Sequence, residues 1–472
     1  MRRDRRVPRL VVFQCLVLGA ALALPRPGAA QASNPFLGSV PNGQATGTAL
    51  DLSLNDAFER ALRYNLGAIE GRENTRAAHA ARLRSLNALL PNVSGRASAA
   101  VNRINLQAAG FNLAIPGIAV PTVVGPFTVT DARVYATQEL FNWSDIQGLK
   151  ASSESERASS FAYQSDRDLV VFTTGNAYLL VISDTAAVES IRAQVRTAQT
   201  LYDQDVDKNA HGVIARIDVL RARVELQTQQ QRLIAAENQL NIDKLNLGRV
   251  IGLPNGQDFR LTDSVPYRPL EESTFEKALA QAYAARPDYL APHRQVTAAE
   301  LALRSASAEL YPTGSMTADY GQIGNPNFSA AHGTYSVSAA LNIPIFQGSR
   351  VRADKLQAQS ALEQRKAELA DLGGRIDDQV RTAFYNLRSS SDLVAVARSN
   401  IDLANETLVQ AQDRLSAGIA NNLEVVQAQE SVAAGNLSYI ASLYSFNLAK
   451  ISFAQTLGLA ERSAATYLLG RQ

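Results

Sequence analysis

The sequence predicts a mainly α-helical chain with a transmembrane β-barrel. It has a two-fold internal repeat, long antiparallel coiled-coil helices, and four β-strands per chain, which give a twelve-stranded barrel if three chains contribute. Three observations carry that prediction. The chain matches itself at a shift of 221 residues early in the repeat and 206 later. Four segments alternate apolar and polar residues with period two, over a length that suits a tilted membrane strand. Paired segments keep a seven-residue apolar beat, which imposes a left-handed supercoil.

Composition narrows the function first. Of 472 residues, 46 are Lys or Arg and 44 are Asp or Glu, a formal net charge of +2, so nucleic acid is not an expected partner. One cysteine, Cys15, and four histidines (His79, His211, His293, His332) offer no ligand spacing for zinc or an iron–sulfur cluster. No Ser/His/Asp grouping, phosphate loop or paired-carboxylate motif stands out, so no enzyme, metal or cofactor is expected.

The N-terminus sets the compartment. Arg2, Arg3, Arg5, Arg6 and Arg9 precede an apolar core from Leu10 to Leu24, and Ala30-Gln31-Ala32 offers a small-x-small step. Residues 1–32 therefore read as an export signal, cut after Ala32 or Ala30. Cys15 lies inside the apolar core, without the small neighbours of a lipid-attachment cysteine. Past residue 32 no window of 18 apolar residues is expected, so a chain that enters a membrane must do so as strands.

Repetition orders the remainder. Ala57, Ala61, Leu90 and Pro91 recur as Ala278, Ala282, Tyr311 and Pro312. Gly212, Asp218-Val219-Leu220 and Ile251-Gly252-Leu253 recur as Gly418, Glu424-Val425-Val426 and Leu457-Gly458-Leu459. The shift changes across residues 105–126, where the first copy carries a longer Gly/Pro/Asn-rich loop. The expected order is an extended segment (33–51), repeat one (52–260), a Pro-containing linker (261–272), repeat two (273–460) and a tail (461–472). Each repeat runs helix, strand, loop, strand, long helix, turn, long helix.

The strands begin after Pro91 and Pro312. Val93, Ala97, Ala99 and Val101 alternate with Ser94, Arg96, Ser98 and Asn102 over about 92–104; Ala132, Val134, Ala136 and Leu140 alternate with Asp131, Arg133, Tyr135 and Glu139 over about 127–141. Met316, Ala318 and Tyr320 mark the third strand, about 313–323. Tyr335, Val337, Ala339, Leu341 and Ile343 mark the fourth, about 333–346. Four strands cannot enclose a lumen, and open edges are not tolerated in lipid, so other copies must complete the sheet. Three chains of four strands give twelve, an even number with a wet interior. Phe127, Phe141, Trp143, Phe328 and Phe346 lie near strand ends, where an aromatic girdle or core packing would use them.

The long helices are expected over about 144–207, 214–251, 349–415 and 420–458. Val219, Leu226, Leu233, Leu240 and Leu247 fall seven apart, as do Val425, Val432, Tyr439, Phe446 and Phe453; three residues later come small side chains such as Ala222, Ala236, Ala428, Gly435, Ser442 and Ala449. The preceding helix of repeat two alternates Val380, Leu387, Val394, Ile401, Leu408 and Leu415 with Ala383, Ser390, Ala397, Ala404, Ala411 and Gly418; Val181, Val188, Val195 and Tyr202 are the counterpart in repeat one. Runs above sixty residues make helices of roughly 90 Å, an architectural spacer. The hairpins turn at Asn209-Ala210-His211-Gly212 and Ser416-Ala417-Gly418-Ile419, each followed six residues after its glycine by an acid, Asp218 or Glu424. Asp203, Asp205, Asp207 and Asn209 mimic the start of a calcium loop, but Lys208 stands where glycine is needed and Ile214 where glutamate is, so a solvated acidic face is expected instead.

These residues resemble the TolC-like outer-membrane efflux protein family (outer-membrane factors) over nearly all of the chain past the signal. The resemblance rests on Leu89-Leu90-Pro91 and Leu310-Tyr311-Pro312 entering the strands, Leu140-Phe141 and Ile345-Phe346 leaving them, and the turn segments Gly212 with Asp218-Val219-Leu220-Arg221-Ala222 and Gly418 with Glu424-Val425-Val426-Gln427-Ala428. Gly252-Leu253 and Gly458-Leu459 close the repeats. It implies a homotrimeric, passive conduit of a tripartite efflux or type I secretion system, with a twelve-stranded barrel in outer-membrane lipid and the long helices forming an α-barrel in the periplasm. His211, Gly212, Val213, Ala417, Gly418 and Ile419 would be tips that dock a periplasmic adaptor (membrane fusion) protein linked to an inner-membrane pump. Asp218, Glu424 and Gln427 would line a periplasmic constriction. Two positions depart from the family pattern: Gln427 where a second acid can stand, and Leu415 where an aromatic can. The rival reading is a periplasmic coiled-coil scaffold or adaptor without a barrel.

Overall fold

In chain order the elements are β1 (Leu50–Leu52), α1 (Leu54–Tyr64), α2 (Leu66–Asn87), β2 (Asn92–Asn105), β3 (Val123–Phe141), α3 (Trp143–Ala210), α4 (Arg216–Val250) and β4 (Phe259–Leu261). Then follow α5 (Phe275–Ala285), α6 (Pro287–Ser307), β5 (Thr313–Gly324), β6 (His332–Asn342), α7 (Arg350–Ser416), α8 (Asn422–Thr456) and α9 (Ala460–Leu469). The computed structural model describes residues 34–108, 110, 121–270, 274–325, 332–419 and 422–470. The expected export signal, most of the long loop of repeat one and Phe328 fall outside them.

Each repeat opens with two helices, not one, and the break has a local cause. Ser53 caps α1 in a reciprocal capping box with Asp56. Asn65 then ends α1 in extended backbone, and its side chain caps α2 by accepting from Gly67 N–H at 2.9 Å. At the equivalent place, 221 residues on, Arg286 adopts the same extended backbone and Pro287 starts α6 at a position that needs no N–H donor. Both residues reach the end of the closing long helix: Asn65 Nδ2 donates to the Val250 carbonyl at 3.2 Å, and Arg286 Nη1 to that of Thr456 at 3.4 Å.

Of the described residues, 69% are helical. α3 has 68 residues and α7 has 67, each roughly 100 Å long. Small residues on α1 (Ala57, Ala61) and α5 (Ala278, Ala282) are fully buried, and large ones fill the space they leave. In repeat one Val170, Val171, Tyr178 and Leu247 do so; in repeat two Ile376, Val380 and Phe453 do. Contrary to the expectation of no apolar window, α3 contains an 18-residue stretch of mean hydropathy 1.3. Its apolar residues are core: Val170, Val171, Tyr178, Leu179 and Val181 pack against α1, α4, α8 and α9.

The Tyr178 hydroxyl is the polar pin of that core. It lies 3.0 Å from the Leu52 carbonyl and 3.2 Å from the Asp263 carboxylate, which also accepts from Leu54 N–H at 2.7 Å. Burial, with Asp263 beside it, raises the phenol above its ordinary pKa. Tyr178→Phe removes this donor, while Thr262 N–H still serves the Leu52 carbonyl and Leu54 N–H the Asp263 carboxylate, so a loss of about 0.5–1.5 kcal/mol is expected in denaturant unfolding.

Four expectations are corrected. The fourth strand ends at Asn342, not 346: Pro344 has no N–H for the ladder, and Ile343, Ile345 and Phe346 lie outside the strand. The second strand starts at Val123, earlier than 127. The C-terminal tail is largely α9, docked because Arg167 donates from Nε to Glu461 Oε2 at 2.8 Å and Asp168 accepts from Glu461 N–H at 2.9 Å. Of the acids read as a solvated face, Asp203 and Asp207 are exposed, but Asp205 is buried on α3. In addition, β1 and β4 pair in parallel, so the extended segment and the linker region meet.

Candidate functional site: the sheet faces and the helical tips

The main sheet runs β2-β3-β5-β6 with every neighbour antiparallel, so the two hairpins lie side by side. Its register aligns side chains in rows. On one face, Val93–Ala136–Ala318–Val337 and Gly95–Val134–Tyr320–Tyr335 run across all four strands. On the other, Ser94–Tyr135–Asp319–Ser336 and Arg96–Arg133–Gly321–Thr334 do so. The apolar face lies open: Val134 is 52% exposed, Val337 65% and Tyr335 77%. An apolar sheet face of this extent marks a contact with lipid or protein. Among the described residues, neither the outer edge of β2 nor that of β6 has a partner strand.

The polar face carries an ion cluster that no linear motif announced. Arg133 donates from Nε to Asp131 at 2.8 Å and from Nη1 to Asp319 at 3.1 Å, and the Thr317 and Ser338 hydroxyls meet at 2.7 Å. Pairing β3 with β5 from the alternation pattern would have found it, because Asp319 stands opposite Tyr135, two positions from Arg133.

At the far end of the long helices, the two turns share one geometry. Gly212 (φ +73°) and Gly418 (φ +72°) occupy the left-handed region. Val213 N–H donates to the Lys208 carbonyl and Ile419 N–H to that of Arg414, both at 2.9 Å; Gly212 N–H donates to Asn209 and Gly418 N–H to Leu415. This is the Schellman pattern, which closes a helix with a left-handed residue and satisfies its last carbonyls. Val213 and Ile419, 70% and 71% exposed, stand at the extreme tip. His211 caps α3 with Nδ1 2.8 Å from the Asp207 carbonyl, and Ala417 N–H donates to Asp413.

Of the acids singled out in the sequence, both lie in first helical turns, where the helix dipole favours negative charge. Asp218 pairs within its own helix with Arg221 at 3.2 Å. Glu424 reaches across the turn to Arg414 of α7 at 3.3 Å. The Gln427 carbonyl accepts from Ser431 at 2.9 Å. Val425 and Ala428 are buried against Leu201 and Ala411, which ties the two hairpins together near their tips. Beside them lies an apolar groove of about 350 Å³, with Ile217, Leu220, Val224, Leu423 and Val426 on its walls. Sequence reasoning missed it, although Ile217, Leu220 and Val224 form a second stripe at helical spacing beside the heptad positions. Among the described residues no group of three or more His, Cys, Asp or Glu is placed to hold a metal ion.

Comparison with known proteins agrees with this geometry. The model of the family described as outer membrane efflux protein matches residues 70–253 and 278–459, one span in each repeat. The chain is 21% identical over 350 residues to outer membrane protein TolC of Escherichia coli, covering 70% of this chain and 69% of that one. It is 21% identical over 304 residues to the alkaline protease secretion protein AprF of Pseudomonas aeruginosa, covering 62% of each. The CmeC outer membrane channel of Campylobacter jejuni superposes with a TM-score of 0.74 at 14% identity, over 93% of this chain and 94% of that one.

Proposed function

The chain belongs to the outer membrane efflux protein family, and we propose that three copies close a twelve-stranded barrel in outer-membrane lipid, continued by a tube of helices through the periplasm. It is an outer-membrane channel for efflux or type I secretion, with its helical part in the periplasm. The observation that carries the trimeric reading is the sheet: one face apolar and exposed, the other polar, both outer edges unpaired among the described residues. With four alternating strands, β6 of one copy beside β2 of the next continues the antiparallel order, so the cylinder closes without a break in the ladder. The polar rows, with Arg133 and its two aspartates, then face water.

The tips at His211-Gly212-Val213 and Ala417-Gly418-Ile419 dock a periplasmic adaptor, which links the conduit to an inner-membrane pump. Exposed Val213 and Ile419 supply the apolar contact. Asp218, Glu424 and Gln427 narrow the periplasmic mouth, where a ring of carboxylates favours cations. The chain acts as a passive conduit, and the pump supplies the free energy.

Two measurements test this. Outer-membrane fractionation and heat-modifiable migration should show a detergent-soluble trimer; a monomer freely dissolved without detergent overturns the barrel. Replacing both Gly212 and Gly418 with Val places β-branched residues at positive φ, at about 1–3 kcal/mol each. Barrel assembly should persist while dye efflux through the native pump falls severalfold; unchanged efflux removes the tips as the docking surface.

A further inference from the structure

The seams of the long helices are built on small residues, and repeat one breaks that rule where repeat two keeps it. In α7 and α8 the positions three after the heptad residues include Ser390 and Ala449; the equivalents 206 residues earlier are Asp184 on α3 and Asp243 on α4. These two acids meet across the α3–α4 seam, carboxyl to carboxyl. Asp243 is only 5% exposed, and its oxygens accept from Gln239 Nε2 at 2.6 Å and Asn246 Nδ2 at 3.2 Å, donors that suit a carboxylate. Asp184 Oδ2 is buried with no donor in reach.

Two ionised carboxylates in contact inside a seam repel strongly, whereas one proton turns Asp184 into the donor that Asp243 accepts. Burial, and secondly the Asp243 carboxyl, push Asp184 up to about 7. Among the described residues no cation acts on Asp184, and the lysines of the neighbouring helices have partners of their own. From α8, the Tyr444 hydroxyl donates to Asn176 at 2.7 Å and is itself raised by burial and by these two acids. Lys244, next to Asp243, lies 3.6 Å from Asp258, and Lys450 on α8 donates to the Arg268 carbonyl at 3.3 Å.

We propose that Asp184 and Asp243 form a proton-dependent clasp across the α3–α4 seam, braced while the pair holds one proton and loosened when both carboxyls ionise. The folded chain keeps a proton between the ordinary carboxyl value and about 7 that the unfolded chain releases. The stabilisation is therefore complete in acid and is lost as pH rises through about 7. Asp184 lies 26 residues before the end of α3, roughly 40 Å from the tip. Loosening there would free the hairpin over that length; this consequence rests on the conduit reading, whereas the clasp does not.

Hydrogen exchange of the purified full-length protein in detergent, read on α3 and α4 peptides from pH 5.5 to 8.5 and corrected for intrinsic rates, tests the clasp. Protection around residues 184 and 243 should fall roughly tenfold between pH 6 and 8. Peptides around Ser390 and Ala449 serve as the control in the same molecule and should not change. Asp184→Asn, which always carries an N–H donor, should keep the acid-side protection throughout. The Asp184→Ser/Asp243→Ala variant, which copies repeat two, should show no pH dependence and provides the reading if Asp184→Asn fails to assemble. Equal pH dependence in wild type and these variants, or none in wild type beyond that of the repeat-two peptides, overturns the clasp. Because exchange is read on the helices alone, it fails or succeeds independently of efflux.

Discussion

Val134→Arg is expected to keep the chain from assembling in the outer membrane. Val134 sits midway along the four-strand part of β3, in the row Gly95–Val134–Tyr320–Tyr335 of the apolar face. An arginine on the lipid face near the bilayer midplane costs about 2–4 kcal/mol. In the proposed trimer the cost recurs three times, which approaches the whole stability of an ordinary fold, about 5–15 kcal/mol. Ser336→Arg is the control: it lies on the opposite face, in one row with Asp319, and should insert normally with an acid near to pair with. The comparison is read by heat-modifiable migration and outer-membrane fractionation. If Val134→Arg assembles and Ser336→Arg does not, the faces of the sheet are reversed.

What the sequence made legible was periodic, and what it hid was short or distant. Period two over ten residues places Val134 and Arg133 on opposite faces with no knowledge of the partner strand, because successive side chains must alternate. A seven-residue beat likewise marks which sides of α4 and α8 meet a neighbour. β1 and β4, three residues each, are too short to show any period. α9 has a helix-compatible sequence, but what seats it are Arg167 and Asp168, almost three hundred positions earlier. Pro344 was visible and still overridden by the apolar alternation of Ile343 and Ile345, although a missing donor counts for more in a ladder than one more apolar residue. At the tips, glycine and its two flanking residues predicted the turn chemistry. The partners of the acids depended on geometry: Asp218 stays within its helix, while Glu424 crosses ten residues to Arg414. Asp184 was an exception to the small-residue rule in plain view, and only the pairing of α3 with α4 gives it Asp243.

The second large effect concerns the ends of the two repeats, which share a backbone but differ in chemistry. Gly458→Val should destabilise by roughly 4 kcal/mol or more, the sum of a β-branched residue at positive φ and the displacement of a buried charge. Gly458 has φ +70°, and a Cβ there would stand 2.6 Å from Arg286 Cα and 2.9 Å from its N, backbone that cannot step aside. Moving Arg286 is expensive because it is 5% exposed and satisfied as a set, by Asp288 at 2.9 and 2.7 Å and by Gln379 at 2.8 Å. At the equivalent Gly252 (φ +72°), a Cβ would meet Tyr64 Cβ at 2.7 Å, and the junction residue is neutral Asn65. Gly252→Val should therefore cost less than Gly458→Val despite the same dihedral strain. Gly256→Ala calibrates that strain alone, since φ is +85° but nothing lies within 4 Å of the added carbon; about 1 kcal/mol is expected. Thermal midpoints of the three purified variants decide the order. If Gly458→Val and Gly256→Ala cost the same, Arg286 is not the element that locks the end of the long helix to the start of α6, and the backbone dihedral alone explains the glycine.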